Sequence, residues 1–578
     1  MTRTDSLVVG ALVVMLAVLA GLVGVPALVP AASIATTPSA SPAAIATRPY
    51  REGVLGRPVS VSPLSAKTQA DRDLVALVYS GLVRNGPSGT LVPDLAERWS
   101  VDPTGVIWTF QLRDDATWHD GEPVTAEDVA FTIGVLQDPS YHGPAAGSWN
   151  EVSVRATGPR TVTFTLKTPL GGFLQAATQP IAPAHLLAGV PVTDLPDHPS
   201  GRQPIGSGPF AVANLTDESA ELIPAATLIS DGGSGAEPTP RSTDSLATPP
   251  PLGRSTRPVP YLPGIEFRFF DDPQALADAY REGSLDAASG LPPAIERELA
   301  ATDGSRALRY PGATLTTVLL NLRPGHPEFA DPAVRTALLA AIDRPRLIAD
   351  AFAMAAEAAS GPIPPGSAVF DPVADPSVAY DVEAAKAALR KAGWKQAADG
   401  WHLPGAKTPI TIDLLSPDKA SNPAAFTSAA AVARDWTTLG LSVIHKALPP
   451  AEFGMGRLAT GDFGAAVGDV TVGLDPDLYP LLASSQTVTG GSNVIGLQDP
   501  ALDALLVAAR GPGTDEARKT AYSNLQKQLA KGRYLLPLAF ADESIVVRDT
   551  VVGLAIRQVA DPADRFWDVL TWRLAAGR

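Results

Sequence analysis

Apolar and polar residues alternate through 106–113, where Trp108, Phe110 and Leu112 fall on one face and Thr109, Gln111 and Arg113 on the other, the period of a half-buried strand. The alternation returns at Val162, Phe164 and Leu166 and again at Ile265, Phe267 and Phe269. Over 71–83 the period lengthens: Leu74, Leu77, Val78 and Leu82 recur at helical spacing, and Gly81 with Asn85-Gly86-Pro87 marks the exit into a turn. Thr125 and Asp128 have the spacing of a capping box, after the turn-forming run Trp118-His119-Asp120-Gly121-Glu122-Pro123. Asp272-Pro273 and Asp331-Pro332 read as helix starts, an acid at the cap followed by proline at the first helical position. Further helices are predicted at 381–393, 426–439, 502–509 and 516–529, and buried or short strands at 315–322, 410–415, 441–444, 463–467 and 545–547. Helices and strands mix along the whole chain without internal repeats, so the fold class is α/β.

Three stretches break the pattern. Residues 7–29 are uncharged and apolar over about the length that spans a bilayer as helix, with small residues following at Ala31, Ala32, Ser33 and Ala35. They read either as a cleaved signal or as a retained anchor, and in both cases the remainder of the chain is expected outside the cytoplasm. Residues 30–49 are rich in Ala, Ser, Thr and Pro and are expected to form a flexible tether, with structure starting near Tyr50. Residues 214–260 lose periodicity and include Pro249-Pro250-Pro251, which predicts a disordered insertion. The run Gly232-Gly233-Ser234-Gly235 within it precedes no helix and reads as linker rather than phosphate loop.

Composition narrows the function by exclusion. At 578 residues the chain has room for several domains or one large multi-lobed body. A net charge of −15 without any polybasic stretch leaves no electrostatic footprint for nucleic acid. The absence of cysteine removes disulfides, thiolate metal sites and a cysteine nucleophile. No Gly-x-Ser-x-Gly elbow, His-Glu-x-x-His or phosphate-cradling glycine loop occurs, so no catalytic residue, cofactor or metal ligand is assigned and the chain is not read as an enzyme. His119 beside Asp120 is read as a turn histidine bonded to backbone or solvent. Among acid pairs, Asp114-Asp115 and Asp271-Asp272 read as turn and cap residues; Asp469, Asp475 and Asp477 follow the strand predicted at 463–467, where an α/β body commonly faces a ligand crevice.

The run LVPDLAERWSVDPTGVIWTFQLRDDATWHDGEPVTAEDVAFT at 91–132 resembles the signature region of the extracellular solute-binding proteins of family 5, whose members include dipeptide-, oligopeptide- and nickel-binding proteins. Three more blocks follow in the family's order: GSGPF at 206–210, TTVLLNLRPGHPEFADPAVRTALLAAIDRPRLI at 316–348 and YDVEAAKAALRKAGW at 380–394. The resemblance covers most of 50–553 and implies a periplasmic-binding-protein type II-like fold, two lobes built from three domains joined by hinge strands. It divides the chain into a leader or anchor at 1–32, a linker at 33–49, a discontinuous first lobe at 50–64, 183–268 and 538–578, an inserted smaller domain at 66–182, and a second lobe at 269–537. It also implies a hinge at Gly206, Ser207 and Gly208 and near 267–270.

Two departures bear on the ligand. The Asn-Pro-x-Tyr-Trp element that the family carries after GSGPF is replaced here by the Pro/Ser/Thr-rich insertion. The Trp and Asp that precede the Asp-Pro step in peptide binders become GDVTVGLDPD at 468–477, without the Trp. Peptide therefore stands beside glycans, metal chelates and other small solutes. From their placement beside the matching blocks, Tyr79, Ser80, Asn321, Asp469 and Asp475 are the expected ligand-binding residues. The resemblance implies capture of the solute by hinge closure and delivery to ABC transporter permease subunits, by a monomer that is membrane-tethered through its N-terminal helix if that helix is uncleaved. The alternative is a membrane-tethered sensor or adaptor using the same trap.

Overall fold

The computed structural model describes residues 48–86, 90–145, 149–226, 259–488 and 491–575. The apolar run at 7–29, nearly all of the tether and the Gly232 linker lie outside the described residues. Among the described residues, eleven strands join one large sheet: β1 (Tyr50–Leu55), β2 (Phe210–Leu215), β3 (Ser219–Pro224), β4 (Ile265–Phe270), β5 (Ala287–Ser289), β6 (Ser305–Leu320), β7 (Ala356–Ala358), β8 (Thr411–Pro417), β9 (Ser442–Leu448), β10 (Ala465–Thr471) and β11 (Leu535–Arg548). Their order is β9-β8-β10-β6-β11-β5-β1-β4-β3-β2, with β7 added on β11. β1 pairs parallel with β4 and β5, and β8 pairs parallel with β9 and β10, whereas β6 and β11 run antiparallel to each other. A separate four-stranded sheet is built from Ala96–Val101, Ile107–Leu112, Thr161–Leu166 and Val152–Gly158, in that spatial order.

The two longest strands divide the body. The first part of β6, from Ser305 to Pro311, pairs with residues 542–548 of β11, whose Ile545, Val546 and Val547 also pair with β5. After a register break between Pro311 and Leu315, the second part of β6 pairs with Leu535 to Phe540 on one side and with β10 on the other. Pro311 lacks an N–H, which accounts for an interruption of the ladder at this point. Both strands thus begin in one half of the molecule and end in the other. Residues 269–311, expected in the second lobe, build onto the first: β5 lies beside β1, and Leu276, Tyr280 and Leu299 of the helices Pro273–Arg281 and Pro293–Ala300 pack under it with Val546. The boundary falls at the register break because a three-residue strand paired in parallel with β1 cannot belong to the opposite half.

The local patterns explain most elements. Trp108, Phe110 and Leu112 are buried on one face of their strand, as are Ile265, Phe267 and Phe269 on β4. Proline is plentiful partly because it starts helices: Asp272, Asp331, Asn422, Asp499 and Asp561 each accept an N–H from the first turn and each precedes a proline. Each such cap contributes about 1 kcal/mol. The helix predicted over 71–83 is Gln69–Val78; it stops early because Tyr79 is extended, and Leu82 reaches the core from the following turn. The predicted disordered insertion is shortened at its start, since β2 and β3 form an antiparallel hairpin through Pro224; residues 227–258 lie outside the described residues. Arg48, at the end of the tether, is fixed by a two-pronged pair to Asp286 at 2.6 Å for both contacts. Among the described residues no helix is long and apolar enough to cross a membrane.

Candidate functional site

A cavity of about 780 Å³ opens beside the C-terminal end of the helix Gln69–Val78. Its volume is within the range of small-ligand sites. The helix is held at its start by Asp71, a fully buried carboxylate that accepts N–H groups from Val59, Ser60, Lys67 and Thr68 at 2.6–2.9 Å. Beyond Val78 the extended backbone delivers Tyr79 and Ser80 to the cavity wall. The Tyr79 hydroxyl donates a long bond to the Val61 carbonyl at 3.4 Å, and burial pushes the phenol's pKa above its ordinary value. Trp149, Phe173, Phe566 and Trp567 supply apolar walls, and Gln175 and Gln179 polar ones.

The segment expected to be a hinge, Gly206-Ser207-Gly208, is instead clamped within one half. Gly208 donates to the Val78 carbonyl at 2.7 Å, and a Cβ at Gly206 would collide with that same oxygen. Ser80 N–H donates to the Ser207 hydroxyl, and His119 brackets the segment, accepting from Gly206 N–H on Nδ1 at 3.2 Å and lying 3.1 Å from the Gly208 carbonyl through Nε2. His119 is therefore bonded to backbone. Glycine is required here by close approach, not by freedom to move. The strands that pass between the halves are β6 and β11.

Charge near the cavity is mostly compensated. Arg113 grips Asp115 at 2.8–2.9 Å. Next to the cavity-lining Asp564 and Phe566, Arg565 is fully buried and joins Asp73 and Glu52 at 2.6–2.7 Å, with Tyr50 donating its hydroxyl to Glu52 at 2.8 Å. Burial pushes the Asp73 carboxyl up, and Arg565 opposes that shift. Arg557 also lines the cavity; its Nε and Nη2 are buried without a hydrogen-bond partner among the described residues, and Asp564 and Asp568 lie near enough to favour its charge. No group of three or more His, Asp or Glu among the described residues is placed to hold a metal.

The cavity rim reaches the other half. Leu170 and Phe173 line it, and between them Gly171 N–H donates to the Arg510 carbonyl at 2.7 Å while Gly172 lies against Asp475. Asp475 is paired with Arg518 at 2.7 Å, Arg510 with Asp477 at 3.0 Å, and Pro512 abuts Gly105. Of the five expected ligand residues, Tyr79 and Ser80 meet at the cavity and Asp475 sits on this seam. Asn321 and Asp469 do not line the cavity. The Asn321 amide is a buried brace, donating to the carbonyls of Gly461 and Phe463 and accepting from Arg323 N–H. Asp469 accepts from Thr316 and Asn422 at 2.6 and 2.7 Å. Gly171 was missed: Leu170-Gly171-Gly172-Phe173 offered only the hint that two adjacent glycines allow close approach.

The chain was compared with known proteins. It is 29% identical over 517 residues to Protein XP55 of Streptomyces lividans, covering 87% of this chain and 85% of that one. The oligopeptide-binding protein AppA of Bacillus subtilis, solved with a nonapeptide, superposes with a TM-score of 0.67 at 22% identity, covering 92% of this chain and all of that one. NikZ of Campylobacter jejuni, solved with Ni(L-His), gives a TM-score of 0.66 at 22% identity with the same coverage. At these identities the two structures establish the shared fold, that of type II periplasmic binding proteins. The family model for bacterial extracellular solute-binding proteins, family 5, matches residues 90–492, more than half of the chain, and the protein belongs to that family.

Proposed function

We propose that this chain is the receptor of an ABC importer outside the cytoplasm, which captures a peptide or similar-sized solute by closure of its two halves and delivers it to membrane permease subunits. It carries out no chemistry on the solute and acts as a monomer. Residues 1–32 serve as export signal or, if uncleaved, as membrane anchor, and residues 33–49 as linker. The observation that carries the reading is the Gly171 to Arg510 backbone hydrogen bond, which joins the two halves at the rim of a cavity of ligand size. Closure responds to ligand only if the solute contacts the closed form better than the open one. Reversing a 1:99 population to 99:1 needs about 5.5 kcal/mol of such preference. Movement is assigned to β6 and β11, the strands shared by both halves, with the register break at Pro311 as the bending point. The nonapeptide of AppA and the Ni(L-His) of NikZ support peptides and amino-acid chelates as the classes to test first.

The test is a melting screen of the full chain against peptide pools, amino acids, oligosaccharides and metal chelates. A ligand at about 100 times its dissociation constant adds roughly 2.7 kcal/mol of stability. A rise confined to one class supports the receptor and names its cargo; flat melts with every class contradict it.

A further inference from the structure

We infer that Arg84 receives an anionic group, a carboxylate or another oxyanion, of the solute held in the 780 Å³ cavity. The inference rests on the receptor reading and narrows its ligand. Arg84 lies in the short strand Val83–Asn85, which pairs with Leu91–Pro93. The two run antiparallel with Arg84 opposite Val92, so both side chains leave the ribbon on one face, and both residues line the cavity. The backbone beneath is fixed. Leu82 and Val83 N–H donate to the Ala177 carbonyl at 3.0 and 3.3 Å, and the Asn85 side-chain oxygen accepts from Gln175 at 3.4 Å.

Arg84 stands apart because its charge is both accessible and unanswered. The residue is half-buried, its guanidinium nitrogens are open to solvent, and none makes a hydrogen bond or ion pair among the described residues. The other charged residues of the lining are answered within the protein. Arg113 is paired with Asp115, and the charge of Asp94 adds to its stabilisation. Asp564 accepts from Ala560 and Asp561 N–H at 2.8 and 3.1 Å. Arg557 has Asp564 and Asp568 beside it, and its Nε and Nη2 are closed to solvent. Arg155 and Arg160 also lack partners among the described residues, but both are exposed and neither lines the cavity. Three arginines against two aspartates leave the lining with one positive charge in excess, and Arg84 is where a solute can reach it. Water answers that charge while the cavity is empty of solute. A neutral solute that displaces this water strands the guanidinium, whereas an oxyanion replaces the lost hydrogen bonds with charge-assisted ones. The forked donors of a guanidinium fit the paired oxygens of a carboxylate or phosphate.

Binding of a free-acid tetrapeptide pool to the full chain is compared with binding of an amidated pool lacking Asp and Glu, and binding of benzoate and phenyl phosphate with that of neutral benzamide. Tryptophan fluorescence reports occupancy, since Trp149 and Trp567 line the cavity. The expected result is at least tenfold tighter binding of the anionic probe in a pair, a preference lost in Arg84→Gln and kept in part in Arg84→Lys. The melting midpoint of the unliganded protein should hold in both variants, because neither removes a contact. Benzoate bound more tightly than phenyl phosphate assigns a carboxylate, and the reverse order assigns a phosphate group. Equal binding of neutral and anionic probes, a preference that survives Arg84→Gln, or no response to any anionic probe overturns the assignment. A neutral solute class that still raises the melting midpoint in the screen above then keeps the receptor reading while Arg84 falls.

Discussion

Replacing Gly171 with Ala should weaken solute binding without loosening either half. A methyl group at this position would lie 2.6 Å from the Gly511 carbonyl oxygen and 3.2 Å from its carbon, backbone atoms of the opposite half that have no rotamer with which to yield. Gly171 is not among the positive-φ residues, so alanine brings no backbone strain of its own. The clash exists only when the halves touch, and the Gly171 to Arg510 bond of 2.7 Å must lengthen to relieve it. Overpacking of this kind costs about 1–3 kcal/mol. Because that cost falls on the closed form alone, it appears as a 5- to 150-fold loss of affinity. Calorimetric titration gives the affinity, and urea unfolding of the unliganded protein gives the stability. An unchanged affinity, or a fall in unliganded stability equal to the affinity loss, would refute the claim that Gly171 acts through closure.

Arg565→Leu should cost about 3–5 kcal/mol in urea unfolding, because Glu52 and Asp73 are left buried without their cation, and combining it with Glu52→Gln and Asp73→Asn should recover most of the loss. Burial pushes the Asp375 carboxyl up to about 6 against the opposing pull of Arg533 and Arg344. With the native state holding this proton more tightly than the unfolded chain, the contribution is complete below about pH 4 and is lost as pH rises to about 6, worth about 3 kcal/mol; Asp375→Asn should abolish that slope, and an unaltered slope would assign it to other groups. Asn321→Ala should lower stability by about 1–3 kcal/mol by stranding the buried carbonyls of Gly461 and Phe463, while solute affinity stays unchanged; a loss of affinity at full stability would return Asn321 to the binding site.

The elements were legible where one residue's neighbours decide its conformation. The alternation around Phe110 and Phe267 and the Asp-Pro starts at 272 and 331 depend on periodicity and capping, and both are local. The course of β6 was not legible: its first ten residues contain Arg306, Arg309 and Pro311 and show no clean apolar period, because their strand state is set by pairing with residues 542–548 far along the chain. The family signature carried the two-half architecture, while the close packing of the GSGPF glycines against Val78 is a tertiary feature that the motif does not spell out. The site divided in the same way. Tyr79 and Ser80 precede the signature and lie at the cavity, whereas Asn321, inside the block at 316–348, and Asp469, in the departing stretch at 468–477, are absorbed by hydrogen bonds that only the tertiary structure creates.

The most direct test of capture by closure uses the absence of cysteine from the chain. Cysteines introduced at Ser153, exposed on the four-stranded sheet, and at Lys519, exposed on the helix Asp515–Gly532, can carry spin labels without removing any native thiol. Label-to-label distances are measured without ligand and with the solute identified in the melting screen at saturation. The account predicts that ligand shifts the population toward the shorter distance and that Gly171→Ala resists the shift; a distribution unchanged by saturating ligand would contradict it.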